Sequence, residues 1–247
     1  MAGSSSSVPS LVDYYNNSGL PAGAWLVGPE HPGLEELGLR LLATTKSARI
    51  LELGVQSGGF AVPVILVAAR RERFAYTGVD NLEYTNAVPL RYIAAYLGLH
   101  GVTRGLRFVE GSAGAVVQGA ASHSYDLILI DHYKPRYPID LYAICSRDAL
   151  SEDGAIVLHD VLTYAAPDWI VCKRICRAFG YDWTIDADVS QGAAIVRRRG
   201  AARSKAMRLP VYAEVHARWW VHATVLGVRR AIGRALRRAG LRRSASM

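Results

Sequence analysis

A chain of 247 residues with 51% hydrophobic residues, 13 Tyr and 5 Trp can bury the core of one α/β domain and is too apolar to remain disordered. Its net charge of +8 is unevenly spread: residues 1–196 hold 15 Lys and Arg against 20 Asp and Glu, whereas residues 197–247 hold 14 against Glu214 alone. The acidic body and the basic end therefore need separate explanations.

Three cysteines, Cys145, Cys172 and Cys176, suggest no disulfide framework. Cys172 and Cys176 fall on one helical face without a second Cys/His pair, which favours apolar packing over zinc. The first residues lack the charged start and apolar core of a secretory signal. The longest apolar stretches, such as 61–69, are about half of the ~20 residues a spanning helix needs. A cytoplasmic protein is expected, with peripheral association at the inner membrane face as the one membrane role the basic end would allow.

In chain order, residues 1–10 read as a polar leader and 34–44 as a helix, giving an N-terminal cap over residues 1–48. Strands and helices then alternate: strand 49–53, helix 59–71, strand 74–79, helix 87–99, strand 106–109 and a short helix 113–120. Strand 126–130, helix 139–150, strand 155–158 and helix 169–179 follow, with 183–185 and 193–196 as a closing hairpin. Apolar strands separated by helices indicate a parallel sheet covered on both faces. Residues 49–199 thus form an α/β domain of seven strands, mostly parallel, with an antiparallel edge hairpin. Residues 200–247 form a basic amphipathic tail.

The most informative stretch is Tyr125-Asp-Leu-Ile-Leu-Ile-Asp131-His132-Tyr133-Lys134-Pro-Arg136-Tyr137, an apolar strand that delivers polar side chains to one point. Twenty-three residues beyond Asp131, Gly154-Ala-Ile-Val-Leu-His159-Asp160 repeats the arrangement. Ligands of open parallel sheets bind at the carboxyl ends of strands, so two acidic strand ends beside a lysine mark a reaction site. The bland reading of each residue alone is structural: a solvated Lys134, a hydrogen-bonded His159, a helix-capping Asp131. Their joint placement is what favours catalysis.

At the other end of the argument, the first strand runs into Glu52-Leu-Gly54-Val-Gln56-Ser57-Gly58-Gly59. Glycines there allow a sharp turn and close approach to a ligand. The second strand ends in Asp80, placed to accept from ribose hydroxyls, and Gly111-Ser112 follows the third. The turn matches neither the dinucleotide nor the triphosphate glycine pattern. An acidic residue entering it would repel pyrophosphate but welcome a cation, which favours S-adenosylmethionine, whose sulfonium and ammonium groups are positive.

On these residues the chain resembles class I S-adenosylmethionine-dependent methyltransferases, and most closely the catechol O-methyltransferase group and its metal-assisted relatives. The resemblance spans about residues 11–196. Glu-Leu-Gly-x-x-x-Gly at 52–58 is widespread, whereas Asp-His-aromatic-Lys at 131–134, followed by Arg-Tyr, is much more specific. It implies a Rossmann-like fold in which Glu52, Gly54, Gln56 and Gly58 surround the methionine end of the donor, covered by Leu26 and Val27. Asp80 would bind the ribose, Ser112 and Ala113 would border the adenine, and His132 would pack near its ring. Asp131 also lies toward the donor. Asp131 and Asp160 would be metal ligands and Lys134 the general base, with metal charge and burial lowering its pKa.

Val161 departs from the pattern, which has an Asn there as third ligand. His159 is the candidate replacement, and would shift preference from Mg²⁺ toward Mn²⁺, Fe²⁺ or Zn²⁺. Alternatively His159 is itself the base. Asp186 and Asp188, near the hairpin, read as solvated turn residues that could also reach an acceptor.

In the tail, Val221, Val225, Val228, Ile232, Ala235, Leu236 and Ala239 share one third of a helical projection, and Arg229, Arg230, Arg234, Arg237 and Arg238 occupy the remainder. Such a helix suits an anionic membrane surface through residues 211–243, docking on its own domain, or a homo-oligomer contact. Nucleic acid ranks lower, because the tail has few interleaved aromatics and the acidic body repels phosphates.

The expected activity is methyl transfer to a hydroxyl of a small molecule: a phenol, a sugar or a natural-product alcohol. Two rival readings remain: a nucleic-acid methyltransferase using the tail, and a non-catalytic protein of the same fold at a membrane.

Overall fold

The hydrophobic strands settle at the centre of one seven-stranded sheet. The structure, a computed structural model, describes residues 8–20, 33–83, 88–163, 167–199 and 205–238. The expected donor contacts at Leu26 and Val27 lie outside the described residues. The elements are α1 (Leu11–Asn17), α2 (Leu34–Ala43), β1 (Ala48–Leu53), α3 (Ala61–Ala68), β2 (Phe74–Asp80), α4 (Leu90–Leu99), β3 (Leu106–Glu110) and α5 (Ala113–Gln118). Then come β4 (Tyr125–Ile130), a 3-10 turn (Lys134–Arg136), α6 (Tyr137–Ser146), β5 (Leu150–His159), α7 (Pro167–Phe179), β6 (Tyr181–Asp186), β7 (Ala193–Arg198) and α8 (Lys205–Arg238). Strand order is β3-β2-β1-β4-β5-β7-β6. β1 to β5 are parallel, and β7 runs antiparallel to both β5 and β6. This is the Rossmann-like architecture expected, with the antiparallel pair at one edge.

Alternation along the strands divides the core in two. Ile50, Leu127, Leu129, Ala155 and Val157 face a cluster with α2, α3 and α4. Leu51, Leu53, Ile128, Ile130, Ile156 and Leu158 face the cluster with α5, α6, α7 and the first part of α8. All three cysteines are free and lie in the second cluster. Burial raises their thiol pKa values, that of Cys176 to about 12, so they are inert packing residues.

Three boundaries differ from the expectation. Residues 11–17 form a helix that the mixed pattern concealed: Ser10 caps it by accepting from the Asp13 backbone N–H at 3.2 Å. Helix α6 ends at Ser146 and not near 150, because Asp148 turns the backbone at φ +56 and Leu150 already starts β5. The tail helix begins at Lys205 and is 34 residues long.

The amino-terminal edge of the sheet is locked by a different carboxylate. Asp126 Oδ2 accepts from Ser47 Oγ (2.7 Å) and the Arg49 backbone N–H (2.9 Å), while Arg49 Nη2 bonds Oδ1 at 2.8 Å. Burial alone would raise its pKa, but these donors outweigh it and hold the carboxyl at about 2. Because the folded value lies below the unfolded one, the stabilisation is complete above about pH 4 and disappears as pH falls toward 2. It amounts to about 2 kcal/mol. Asp126→Asn is expected to lose about 2–4 kcal/mol at neutral pH and to flatten the acid limb of the stability curve, measurable by urea unfolding at several pH values.

Candidate functional site

The switch in strand order falls between β1 and β4, where crevices form at the carboxyl ends of parallel strands. The Gly54 N–H donates to the Val79 carbonyl and the Asp131 N–H to the Leu53 carbonyl, both at 2.8 Å, so the end of β1 is tied to the ends of β2 and β4. Gly54 sits at φ +99, and a Cβ there would lie 2.1 Å from the Asp131 carbonyl oxygen. Only glycine lets the β1 turn pass across the end of β4.

The turn is braced from three sides. Asp80, 6% exposed at the end of β2, accepts from the Gln56 N–H through Oδ2 and from the Leu82 N–H through Oδ1, both at 2.7 Å. Each oxygen keeps a further lone pair for a ribose hydroxyl. Tyr15 of α1, fully buried, donates its hydroxyl to the Ser57 carbonyl at 2.8 Å. Neither the helix nor this brace was anticipated, although Ser10-x-x-Asp13 is a capping signal that could have revealed it. Glu52, 1% exposed, accepts from the Tyr76 hydroxyl at 2.7 Å. Burial, then the negative charges of Asp131 and Asp80, push the Glu52 carboxyl well above its usual range. The Glu52 carboxyl is thereby biased toward its neutral form, so the attraction for a cationic donor that was expected of Glu52 falls instead to Asp131 and Asp80.

On the far wall, Arg136 Nη1 donates to Ser112 Oγ at 3.3 Å, and Arg136 Nη2 lies 3.4 Å from Asp140 Oδ1. His132 Nε2 stands 2.9 Å from Asp140 Oδ2, and its ring meets Tyr137 edge-on at 5.3 Å. Ser112 and His132 are thus grouped, with Ala113 at the start of α5. The buried Asp140 that organises the group had not been singled out.

The reactive end is built by register. Leu129 pairs with Val157, so two residues further Asp131 stands beside His159 on the same face. His159 is fully buried, with Nδ1 3.1 Å from Asp131 Oδ2 and Nε2 2.9 Å from the Ser190 carbonyl. Alternation would send the next residue to the opposite face, but Asp160 adopts φ +63 and turns its carboxylate back. His159 Nδ1 lies 3.2 Å from Asp160 Oδ1. Lys134 Nζ lies 3.0 Å from Asp131 Oδ1, contacts Asp160 Oδ2, and donates to the Tyr137 hydroxyl at 2.8 Å.

These groups suit a cation. One donor atom from each of Asp131, His159 and Asp160 falls within 4.8 Å of the others. Asp160 Oδ1 is buried without a hydrogen-bond partner. A carbonyl can only accept, so His159 must keep a hydrogen on Nε2 toward Ser190. That leaves Nδ1 as the nitrogen able to bind a metal, an outer-sphere arrangement common among ligating histidines. Val161, by contrast, is buried in the second apolar cluster and offers nothing.

Lys134 departs from its expected pKa. Burial lowers it, but Asp131 and Asp160 outweigh burial and the net shift is upward. His159 behaves likewise: burial lowers its pKa, and the same carboxylates raise it overall. In both, the facing carboxylates favour the protonated form. Asp186 does not enter the site, since it pairs with Arg40 of α2 at 2.5 Å and also accepts from the Asp188 N–H.

Comparison with known proteins bears on the fold that carries this site. Residues 51–161 match a family model described as a methyltransferase domain. No curated protein matches the sequence. Among solved structures, a Corynebacterium glutamicum protein is similar at 17% identity and TM-score 0.56, over 79% of this chain and 97% of that one. A Podospora anserina methyltransferase bound to S-adenosylhomocysteine is similar at 17% identity and TM-score 0.55, over 78% and 89%. A Staphylococcus aureus protein provisionally assigned as a caffeoyl-CoA O-methyltransferase is similar at 17% identity and TM-score 0.53, over 78% and 92%. Residues 51–161 thus resemble a methyltransferase domain, and the fold around them is one that the Podospora anserina methyltransferase shares.

Proposed function

We propose that the protein is an O-methyltransferase that moves the methyl group of S-adenosylmethionine to a hydroxyl of a small molecule, assisted by a divalent cation. The observation that carries this reading is the convergence of Asp131, His159 and Asp160 with Lys134 at the carboxyl ends of β4 and β5. The O-methyltransferase assignment of a structural neighbour points the same way.

The donor's methionine end is placed over the β1 turn by Gly54, Gln56 and Gly58, beside Glu52 and against the negative charge of Asp80 and Asp131. Asp80 receives the ribose, and Ser112, Ala113 and His132 border the adenine. Transfer is an in-line displacement: the acceptor oxygen bonds the methyl carbon as the carbon–sulfur bond breaks, leaving S-adenosylhomocysteine, and the hydroxyl proton must be taken up. A divalent cation held by Asp131, His159 and Asp160 would lower the hydroxyl pKa and fix its oxygen. The imidazole ligand favours Mn²⁺, Fe²⁺ or Zn²⁺ over Mg²⁺.

Lys134 is the base in this reading, and His159 is not. The imidazole is fully buried, with one nitrogen committed to Ser190 and the other to the carboxylates. Lys134 keeps some exposure, 17% of its side chain. Once Asp131 and Asp160 are engaged in metal binding, they no longer hold Lys134 protonated. Burial then lowers its pKa toward a useful range.

A screen of hydroxylated acceptors, followed by S-adenosylhomocysteine release, tests the reading. Release with at least one phenol, sugar or alcohol is expected, and chelator should suppress it at least about 100-fold. Release that chelator leaves untouched would remove the metal, and no release with any acceptor would remove the activity.

A further inference from the structure

Helix α8 is joined both to the body and to the site loop. Val211 and Val215 are buried in the second core cluster, and Glu214 pairs with Arg174 of α7 at 3.0 Å. One turn further on, Arg136 lies over the Trp219 ring at 5.2 Å, and the Tyr133 hydroxyl is 2.8 Å from His222 Nε2. Tyr133 and Arg136 flank Lys134, so α8 continues the wall of the reactive crevice.

The other face of the helix is left in water. Val221, Val225, Val228 and Ile232 are 55%, 44%, 53% and 54% exposed, and Trp220 is 69% exposed. Their spacing of four, three and four places the valines and isoleucine on one stripe, rotated from the row of Val211, Val215 and His222 that meets the body. Four β-branched residues have no helical advantage that would explain them in solvent. Residues 197–247 carry 14 Lys and Arg against one Glu, so the surface that covers the stripe is anionic. A second copy would bring two such cationic segments together, and nucleic acid would leave the stripe uncovered. No described helix is long and apolar enough to cross a membrane, which leaves a helix lying in the surface.

We propose that α8 seats the protein on an anionic lipid surface and, through Trp219 and His222, holds the crevice open toward it, so that the acceptor is an amphipathic hydroxyl compound carried in that membrane. The seating stands on the helix alone. The acceptor class rests on the methyl-transfer reading.

The test uses the full chain with vesicles of phosphatidylcholine, with and without phosphatidylglycerol. Sedimentation with the anionic vesicles is expected, at least about tenfold above the neutral ones. Val225→Asp combined with Val228→Asp should abolish it while leaving the melting temperature and its rise with S-adenosylmethionine unchanged. Equal or absent sedimentation, or a dimer that the same double substitution dissolves, would overturn the seating. In a second arm, an alkylcatechol embedded in the anionic vesicles should show a lower KM than soluble catechol, and Trp219→Leu should raise that KM while vesicle binding persists. Equal KM values would overturn the acceptor class. Vesicle binding without release of S-adenosylhomocysteine from any acceptor would instead remove the methyl-transfer reading and leave the seating in place.

Discussion

Gly54→Ala is expected to lose at least about 3 kcal/mol of stability together with the capacity to bind the donor. The new Cβ would stand 2.1 Å from the Asp131 carbonyl oxygen and 2.6 Å from its carbon, at a backbone φ of +99. No flexible side chain is available to yield. Relief means separating β1 from β4, and so breaking the bond from Asp131 to Leu53. For a domain of this size the melting temperature should fall by roughly 6–12 °C, and S-adenosylmethionine should no longer raise it. Gly59→Ala is the control, because a Cβ at Gly59 meets nothing within 4 Å. A Gly54→Ala protein with wild-type melting and a normal donor-induced shift would contradict the crossing of the turn over the strand end.

Lys134→Met separates a surface lysine from the one proposed. As a solvated residue it would change stability by less than about 0.5 kcal/mol and leave the rate alone. In the structure, however, its ammonium is held between Asp131 and Asp160 and also bonds Tyr137. Removing that cation leaves two poorly exposed carboxylates beside a buried imidazole. The metal-free variant is expected to be about 2–4 kcal/mol less stable. Added Mn²⁺ should restore much of the loss, since it replaces the missing positive charge. Methyl transfer should fall about 10²–10⁴-fold with donor binding retained. Calorimetry with and without Mn²⁺ reads the first effect, and a rate assay at saturating metal reads the second.

Much of the reactive end was legible because strand ends are legible. Asp131 and Asp160 each close an apolar run, and parallel strands of known order bring such ends together. The fold followed from the same alternation, and seven strands were found where seven were expected. What escaped the sequence depends on backbone geometry and on distant partners. Nothing in the residues around Asp160 announces φ +63, yet this turn is why two adjacent side chains meet one site. The upward shift of Lys134 requires knowing that both carboxylates touch it, which neither position reveals alone. Tyr15 and Tyr76 carry no signal of their own in the sequence, and only their hydroxyl partners, Ser57 and Glu52, connect them to the donor turn. Docking on its own domain is one of the readings that the tail's pattern allows. Its apolar row at Val211 and Val215, which begins before the stripe at 221, is what anchors it.

The most direct measurement is a titration of Mn²⁺ into the metal-free protein, followed by electron paramagnetic resonance of the free ion. One bound ion per chain is predicted, with binding lost in Asp131→Asn and in His159→Phe and unaffected by Val161→Ala. A full free-ion signal at every protein concentration would mean that two carboxylates and an imidazole gathered at the tips of β4 and β5 hold no metal, and that Lys134 is their permanent counter-ion.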